Sequence, residues 1–504
     1  MLDIQKMNSL EKILGINFPK NININGVTNN SHNVKDGFVF FALDGLHAHG
    51  SKYISHAIEL GASMVIHNDL EYLSNKENII YVEDLCIFDS YTQKNKVFLF
   101  LEEFYKLVDI QSKNNYFAFT GTNGKTSTAY LTHQMLVKSG YESIYIGTLG
   151  TKYNNEEINK SISSKTTPDI FEFFKIFSFY NFNDSVSVCI EISSHALSQE
   201  RLKGISFYNS AALLNIGTDH LDYHGSLKEY TDIKFQIFNP SSPLMLINED
   251  LAPHKDKYEY LKNSKHQLTI ISKKNKSADI YYEIVSIDKE QSLFNIMINN
   301  PPIGYFPSYN QTYKFSCNLF PEFNIENLVF GICSIGFADF SQIKINDLNY
   351  LTLPKGRTEL INNIPANVII DFAHNAEGIE LFLLSIKNYF KKIVVVFGCG
   401  GDRDKLKRPK MMKAAIGNAS KIIFTSDNSR SESFNSIFND ALKGNNHEKV
   451  ISIEDRREAI IQGSKLIDKD DCLVILGKGH EETQEASGIK VFFSDHGVVN
   501  EIYK

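Results

Sequence analysis

Short apolar runs recur along the chain and alternate with segments of helical periodicity. The clearest runs lie at 116–120, 186–193, 211–216, 368–372, 393–397, 422–425 and 472–476. Runs of this length, rich in Val, Ile and Phe, are typical of strands that are buried on both faces. Because helical patterns separate them, the sequence predicts an α/β protein with mostly parallel sheets.

The remaining segments give weaker patterns. Met7, Leu10 and Leu14 have helical spacing among charges of both signs, which predicts a short amphipathic helix rather than a signal peptide. The stretches 156–164 and 239–312 are rich in polar residues and predict surface loops or a strand-rich insertion. No apolar run approaches the roughly 20 residues that span a bilayer. We therefore expect a soluble, cytoplasmic protein without membrane insertion.

Length and composition limit the architecture. A chain of 504 residues exceeds one ordinary hydrophobic core and suggests three domains, for which we expect the bounds 1–95, 96–352 and 353–504. The formal charge of -7 argues against a generally basic surface for nucleic acid. The cysteines lack metal-ligand spacing and are predicted to be reduced thiols in or near the core; they lie at 86, 189, 317, 333, 399 and 472.

Polar clusters follow nearly every predicted strand. They read GTNGKTS, SSH, DHLDYHG, AHN, GCGGDRD, SDNSR and GKGHE. In open α/β sheets, ligands bind beyond the carboxyl ends of the strands. We therefore expect these clusters to line one or two clefts.

The first cluster has the composition of a phosphate-binding loop. Gly121 and Gly124 allow backbone amides to approach an anion, Lys125 can bridge phosphates, and the Thr126 hydroxyl can reach Mg²⁺. Phe119 stands where the general P-loop has its first glycine. The alternative is a plain glycine turn between a strand and a helix.

Three further groups could carry chemistry. Glu191 ends a strand just before Ser193 and His195, and such oxygen and nitrogen donors suit Mg²⁺ or a simple hydrogen-bonded cluster. The run DHLDYHG is conceivable as a zinc site, but no cysteine is near and the phosphate loop favours magnesium. Lys234 lies on a predicted helix and, taken alone, would be an exposed surface lysine.

These motifs occur in an order that resembles the Mur ligases, and within them the MurE-type ligases. The resemblance rests on GTNGKT, SSHALSQER, NIGTDHLDYHG with Lys234 downstream, FNIEN, GRTE, DFAHN, GCGGDRDKLKRP, DNSR and GKGHE. It covers essentially the whole chain. It implies an N-terminal uridine-nucleotide-binding α/β domain, a central P-loop ATPase-type domain with a mostly parallel sheet, and a C-terminal Rossmann-like domain.

The resemblance assigns the UDP-linked substrate to residues in the first half of the chain. They are Ser31, Leu46, His47, Ala48, Thr166, Thr167, Ser193, Gln199 and Arg201. The family's usual arginine after the serine is His32 here.

It also assigns ATP, the metal and the catalytic groups. ATP is expected at Gly121, Thr122, Asn123, Gly124, Lys125, Thr126, Ser127, Asn327, Arg357, Asp371 and His374. Lys125, Glu191, His220 and Lys234 are the implied catalytic residues. Lys234 resembles the lysine that reacts with carbon dioxide to form a carbamate. With Thr126, Glu191 and His220, that carbamate would hold Mg²⁺.

The amino-acid substrate is assigned to the last domain. The implied residues are Arg403, Asp427, Asn428, Ser429, Arg430, Gly477 and Glu481. Arg430 of DNSR could clamp the extra carboxylate of meso-diaminopimelate. Ser429 replaces the family's usual proline, which leaves L-lysine or another diamino acid as an alternative.

The expected reaction is therefore ATP-dependent addition of meso-diaminopimelate to UDP-N-acetylmuramoyl-L-alanyl-D-glutamate, through an acyl phosphate, by a monomer. Its partners would be these small molecules alone. A folylpolyglutamate synthase or another ligase of the superfamily is a rival that DHLDYHG, GCGGDRD and DNSR disfavour. A non-catalytic nucleotide-binding regulator and a general P-loop GTPase are further rivals. The former would not need Lys125, Glu191, His220 and Lys234, and the latter leaves the N-terminal segment unexplained.

Overall fold

A computed structural model of the protein describes residues 3–45, 48–86, 95–107, 110–158, 165–179, 185–205, 207–238, 242–254, 268–300, 311–336, 348–445 and 448–504. The chain forms two compact units. The first comprises Met1–Ala118, Gly140–Asn209 and Gln236–Pro243, and the second Phe119–Ser139, Ser210–Phe235 and Leu244–Lys504.

The first unit contains a small parallel sheet and part of a larger one. Strands β1 (Gly26–Thr28), β2 (Phe38–Ala42), β3 (Ala62–His67) and β4 (Ile79–Tyr81) pair in chain order, all parallel. Strand β5 (Asn115–Thr120) begins in this unit and leads into the second. The others are β6 (Ser143–Gly147), β7 (Gly150–Tyr153), β8 (Glu156–Ile158) and β9 (Ser187–Glu191). Strand β6 pairs in parallel with β9 and antiparallel with β7, which pairs with β8.

The first unit also contains α-helices and short 3-10 helices. The α-helices are Ile4–Leu14, Ile54–Glu59, Lys96–Tyr105, Ile110–Lys113, Ile170–Ser178 and Ser194–Ser198, and the 3-10 helices are Ser31–Asn33 and Gly50–Tyr53. The N-terminal helix starts at the side-chain cap of Asp3 and buries Leu10 and Leu14, as its spacing predicts.

The second unit begins with a six-stranded sheet segment. Its strands are β10 (Ser210–Leu213), β11 (Leu244–Asn248), β12 (Leu268–Ser272), β13 (Ile280–Ile287), β14 (Ser292–Ile298) and β15 (Gln311–Cys317). They pair in chain order, in parallel from β10 to β13 and then antiparallel. The accompanying helices are Lys125–Lys138, Leu221–His224, Leu227–Phe235, Glu322–Ile335 and the 3-10 helix Glu249–His254.

The C-terminal part of the second unit has its own sheet. Strands β16 (Glu359–Leu360), β17 (Asn367–Asp371), β18 (Ile393–Phe397), β19 (Lys421–Phe424), β20 (Val450–Ser452) and β21 (Cys472–Leu476) lie in the order β16-β17-β21-β18-β19-β20. Apolar clusters cover both faces, which explains the continuous Val and Ile runs. Strands β22 (Thr483–Ala486) and β23 (Ile489–Phe492) form a separate two-stranded antiparallel hairpin. The helices are Ala376–Ile386, Lys407–Asn418, Phe434–Leu442, Arg456–Ser464 and Asp495–Ile502.

The predicted α/β class with mostly parallel sheets is confirmed. For the stretch 156–164, where loops or a strand-rich insertion were expected, Glu156–Ile158 form strand β8, which fits the second alternative; 159–164 lie outside the described residues. The predicted strand 186–193 ends early at Glu191, since Ser193 leaves the ladder to cap a helix. Cys86 is exposed, while the other cysteines are buried and all are free. None of the helices in the described ranges has the length and apolar character needed to cross a membrane.

Candidate active site

The phosphate loop joins β5 to the helix Lys125–Lys138. Gly124 caps this helix with φ of 88°, and a Cβ there would lie 2.4 Å from Asn327 Oδ1. Glycine is therefore required by both the backbone angle and the close approach. Thr126 and Ser127 are buried in the first helical turn. The fold thus places Asn327, an expected ATP residue, directly against the loop.

Asn215, which follows β10, holds the loop in place. Its Oδ1 accepts a hydrogen bond from Asn123 N at 2.9 Å, and its Nδ2 donates to Asn123 O at 3.1 Å. Its carbonyl accepts from Thr122 N at 3.1 Å. Gly217 N donates to Thr122 Oγ1 at 2.8 Å. These hydrogen bonds satisfy donors and acceptors of the loop and restrict its conformation. The loop is therefore preorganised before a ligand binds.

Two lysines meet at Gly121. Lys125 Nζ donates to the Gly121 carbonyl at 2.7 Å, and Lys234 Nζ donates to the same oxygen at 2.9 Å. Lys234 is buried, with its ammonium 4.7 Å from the Tyr230 ring centroid. Burial, and then the charge of Lys125, hold the pKa of Lys234 well below its usual range. The expectation of a surface lysine, drawn from Lys234 alone, is therefore wrong.

Asp219 links the DHLDYHG turn to the helix that follows DFAHN. Its Oδ2 accepts from Asn375 Nδ2 at 3.2 Å and lies 4.0 Å from His374 Nε2 and 3.7 Å from His220 Nε2. Burial favours the protonated acid, but the charges of His374, His220 and Lys407 hold the pKa of Asp219 at about 2. Among the described residues, no group of three or more His, Cys, Asp or Glu side chains is arranged to hold a metal ion.

The expected adenosine-side residues also come together. Arg357 Nη2 donates to Thr126 Oγ1 at 3.3 Å, and its guanidinium carbon lies 4.4 Å from the Phe372 ring centroid. Asp371 accepts from Thr358 N and Ala373 N, both at 2.7 Å. Burial raises the pKa of Asp371. Arg357 Nε is buried and has no hydrogen-bond partner within the described ranges.

Glu191 is buried in the first unit at the end of β9. Its Oε1 accepts from Tyr145 Oη at 2.5 Å and from Thr148 N at 2.9 Å. A Cβ at Gly147 would lie 2.0 Å from the same oxygen, so this glycine makes room for the carboxylate. Glu191 is thus held in one orientation by its neighbours within this unit.

Four expected substrate residues of the first unit form one hydrogen-bonded group, and the fifth, Thr166, bonds to Thr148. Thr167 Oγ1 accepts from Ser193 N at 2.9 Å, and Arg201 Nη1 donates to Thr167 O at 3.0 Å. Arg201 Nε donates to Gln199 Oε1 at 2.8 Å. Thr166 Oγ1 lies 3.2 Å from Thr148 Oγ1. The guanidinium of Arg201 is therefore oriented by the chain itself.

The N-terminal substrate residues lie near a short turn. Ser31 is buried at the start of its 3-10 helix, which Asn30 caps by accepting from His32 N at 3.0 Å. The His32 ring meets His56 edge-on at 5.0 Å between centroids. Ala48 is described, whereas the expected substrate residues Leu46 and His47 lie outside the described residues.

The expected amino-acid residues surround Lys478. Its buried Nζ lies 3.0 Å from Glu481 Oε2, 3.5 Å from Asn428 Oδ1 and 3.6 Å from Asp427 Oδ1. Asn428 Nδ2 donates to Glu481 Oε2 at 3.1 Å. Gly477 has φ of 106°, and a Cβ there would lie 3.2 Å from Asp427 Oδ2. We call these five residues the Lys478 ring.

Arg430 lies beside this ring, with φ of 51°. Its Nη1 donates to Gly401 O at 2.7 Å, while its Nε and Nη2 make no hydrogen bond within the described part of the chain. Gly401 lets the loop approach, because a Cβ there would lie 1.9 Å from the carbonyl oxygen of the buried Ser429. Arg403 is exposed nearby, its Cγ 3.6 Å from a Cβ built at Gly400.

The β22–β23 hairpin holds the DNSR loop through the backbone. Gln484 Nε2 donates to Asp427 O at 3.0 Å and to Ser426 O at 3.3 Å. Arg430 N donates to Glu485 O at 3.2 Å, and Ser487 N donates to Arg430 O at 2.6 Å. The hairpin therefore fixes the loop on which Arg430 stands.

Sequence reasoning did not single out Lys478, Gln484, Asn215 or Asp219 as site residues. Lys478 and Asp219 lie inside quoted motifs, where a charged residue after a buried strand is a usable signal. Asn215 also lies inside a quoted motif, but its role, like that of Gln484, depends on long-range contacts that no local pattern records.

Comparison with protein families covers most of the chain. Residues 23–91 match the description "Mur ligase family, catalytic domain", residues 119–335 match "Mur ligase middle domain", and residues 356–479 match "Mur ligase, glutamate ligase domain". The three matches follow one another in chain order.

Individual proteins with similar sequences carry the names of ligases that add 2,6-diaminopimelate. A protein of Wigglesworthia glossinidia brevipalpis named UDP-N-acetylmuramoyl-L-alanyl-D-glutamate--2,6-diaminopimelate ligase is 34% identical over 500 residues, with 95% of each chain covered. One of the same name from Aquifex aeolicus is 33% identical, covering 95% of this chain and 93% of that protein. A solved structure of a ligase of this name is 26% identical, with a TM-score of 0.61 and 98% of each chain covered. The chain therefore belongs to the Mur ligase family.

Proposed function

We propose that the protein is an ATP-dependent ligase of peptidoglycan synthesis that adds meso-diaminopimelate to UDP-N-acetylmuramoyl-L-alanyl-D-glutamate, acting in the cytoplasm as a monomer. The observation that carries the proposal is that the second unit holds both a two-lysine phosphate loop and a charged ring beside Arg430. The names of the relatives support the same substrates. The domain bounds at 95 and 352 belong to this proposal.

The loop would bind the phosphates of ATP. Lys125 and the backbone amides of the first turn of the helix Lys125–Lys138 would be the donors for the oxygens of the γ phosphate, on which charge develops as the D-glutamyl carboxylate attacks it. The products of that step are ADP and an acyl phosphate. The amine of the amino acid then attacks the acyl carbon, and phosphate leaves. No nucleophile of the protein is needed, because the substrate carboxylate supplies it.

Lys234 suits the proposed carbamate. Burial of the ammonium is costly and the charge of Asp219 offsets the cost only in part, so the lowered pKa favours the neutral amine that carbon dioxide requires. The neutral amine attacks carbon dioxide, the new N–C bond forms as one C–O π bond breaks, and loss of one proton leaves a carbamate anion whose oxygens can bind a metal ion. The residues that would hold Mg²⁺ are then Thr126, Glu191, His220 and the carbamate of Lys234. The metal would supply charge neutralisation for the phosphates.

Arg430 supports the choice of meso-diaminopimelate over L-lysine. Its Nε and Nη2 form an edge that can donate a bidentate pair to a carboxylate. L-Lysine lacks this second carboxylate. Ser429 in place of proline keeps another diamino acid as the second candidate substrate.

The test is phosphate release from ATP in the presence of UDP-N-acetylmuramoyl-L-alanyl-D-glutamate, with meso-diaminopimelate, L-lysine or no amino acid, and mass spectrometry of the product. Release and a tripeptide product with meso-diaminopimelate alone are expected. A preference for L-lysine would overturn the specificity, and no release in any mixture would overturn the proposed function.

A further inference from the structure

The Lys478 ring contains a cation that no solvent reaches. The side chain of Lys478 has 0% exposure, and the carboxylates of Asp427 and Glu481 approach its Nζ from two sides. A buried charge is tolerated only when opposite charges and hydrogen bonds compensate it. The positions of these carboxylates and of Asn428 are therefore coupled to the ammonium of Lys478.

The ring is short of one positive charge. Two carboxylates face one ammonium, so the ring has a net charge of -1. The nearby buried Arg456 also interacts electrostatically with Asp427 and Glu481, but its Nε and Nη2 pair with Asp495, each at 2.8 Å, so this pair adds one charge of each sign and leaves the sum unchanged. Asp427 Oδ1 is buried and accepts no hydrogen bond within the described ranges. An acceptor and a negative charge thus remain unmatched.

We propose that Lys478 is a positioning residue for the amino-acid substrate. It acts as an internal counter-ion that fixes the positions of Asp427 and Glu481. One negative charge stays unbalanced, and the side-chain ammonium of the diamino acid would balance it. The proposal rests on the proposed function and deepens it. Lys478 contacts the side chains that bind the substrate and not the substrate itself.

A counter-ion role of Lys478 and a purely structural role predict different changes in the KM values of the three substrates. Without the ammonium of Lys478, Asp427 and Glu481 repel each other and lose their fixed positions, so affinity for the diamino acid falls. ATP and the UDP-linked substrate are expected to bind elsewhere, so their KM values stay unchanged. A purely structural role would instead lower thermal stability and affect all three substrates together.

A set of four full-length proteins tests this through the KM of meso-diaminopimelate in the phosphate-release assay. They are the wild type, Lys478→Met, Glu481→Gln and the double variant. Lys478→Met is expected to raise this KM by about tenfold and to change the other two KM values less than about twofold. Glu481→Gln is expected to raise it in the wild-type background and to lower it in the Lys478→Met background, where it restores the net charge of -1.

A rise of the KM on Glu481→Gln in both backgrounds would overturn the counter-ion role. Lys478→Gln replaces Lys478→Met in the same comparison if the methionine variant does not fold. If the wild type makes product with a diamino acid, such a result rejects the counter-ion role and leaves the proposed function standing. If the wild type makes no product with any diamino acid, the proposed function and the counter-ion role are both rejected.

Discussion

Lys125 and Lys234 donate hydrogen bonds to one acceptor, the carbonyl oxygen of Gly121. Two ammonium groups around a single neutral oxygen repel each other, and this repulsion is strong away from bulk water. An anion bound at the loop, or loss of the charge of Lys234, relieves it. The pair therefore makes the loop a site that favours phosphate, and it couples the charge state of Lys234 to ligand binding.

Lys125→Ala is expected to reduce phosphate release by at least about 100-fold, because it removes the cation beside the transferred phosphate. The assay is phosphate release with all three substrates present. Lys138→Ala, an exposed position on the same helix, is the control and should keep near-normal activity. Near-normal activity of Lys125→Ala would reject the ATP site.

Lys234→Ala is expected to lose activity that added bicarbonate does not restore and that a short-chain carboxylic acid partly restores. The acid would replace the carbamate oxygens in the cavity left by the side chain. The exposed Lys228 of the same helix supplies the control variant Lys228→Ala. In the wild type, a carbamate carbon signal after incubation with ¹³C-bicarbonate should appear and should be absent from Lys234→Ala. An unimpaired variant would refute the carbamate.

Arg430→Ala is expected to raise the KM of meso-diaminopimelate by roughly 10- to 100-fold, the cost of a charge-assisted bidentate contact. Any residual activity with L-lysine should change far less, since L-lysine lacks the second carboxylate. Arg457→Ala removes an exposed arginine paired with Glu501 and serves as the control. Equal losses with both amino acids would contradict the specificity role.

Glu432→Gln is expected to lower the free energy of unfolding by about 2 kcal/mol, because it removes one of the two carboxylates that pair with the buried Arg408, while Asp440 remains at 2.8 Å. Arg408 donates to Glu432 at 2.6 and 3.0 Å and is itself buried. The hydrogen bond from Arg408 lowers the pKa of Glu432 to about 2. The stabilisation is therefore complete above about pH 4.5 and is lost as the pH falls towards 2.

Urea unfolding at several pH values measures this effect. The matched control is Glu458→Gln, an exposed position on the helix Arg456–Ser464. It should change stability by less than about 0.5 kcal/mol. Equal stability of the two variants near neutral pH would show that the Arg408 pair contributes nothing.

The sequence predicts the fold class because the buried parallel strands are continuous Val and Ile runs, as at Ile393–Phe397 and Cys472–Leu476. The strand ends are predictable to within a few residues, and the polar groups that follow them locate the candidate site. Strand β8 could not be told from a loop by sequence, because Glu156 and Glu157 are polar residues on a short hairpin, where no apolar alternation marks the strand.

Pairings within the site could not be predicted in the same way. Lys234 is polar by type, and only the tertiary fold shows that it is buried against Tyr230 and Gly121. Likewise, Lys478 meets Asp427 across two strands that are distant in sequence. Such contacts depend on which loops the sheet brings together, and a local pattern holds no record of them.

Gln484, Glu485 and Ser487 of the β22–β23 hairpin hold the DNSR loop mainly through hydrogen bonds to the main-chain atoms of the loop. A loop anchored in this way can exchange its own side chains without losing its position. Substrate preference can therefore drift in evolution, or be redesigned in the laboratory, by replacing Ser429 and Arg430 while the hairpin stays as it is. The β22–β23 hairpin is in this sense a fixed support for a loop whose side chains determine the substrate and can be replaced.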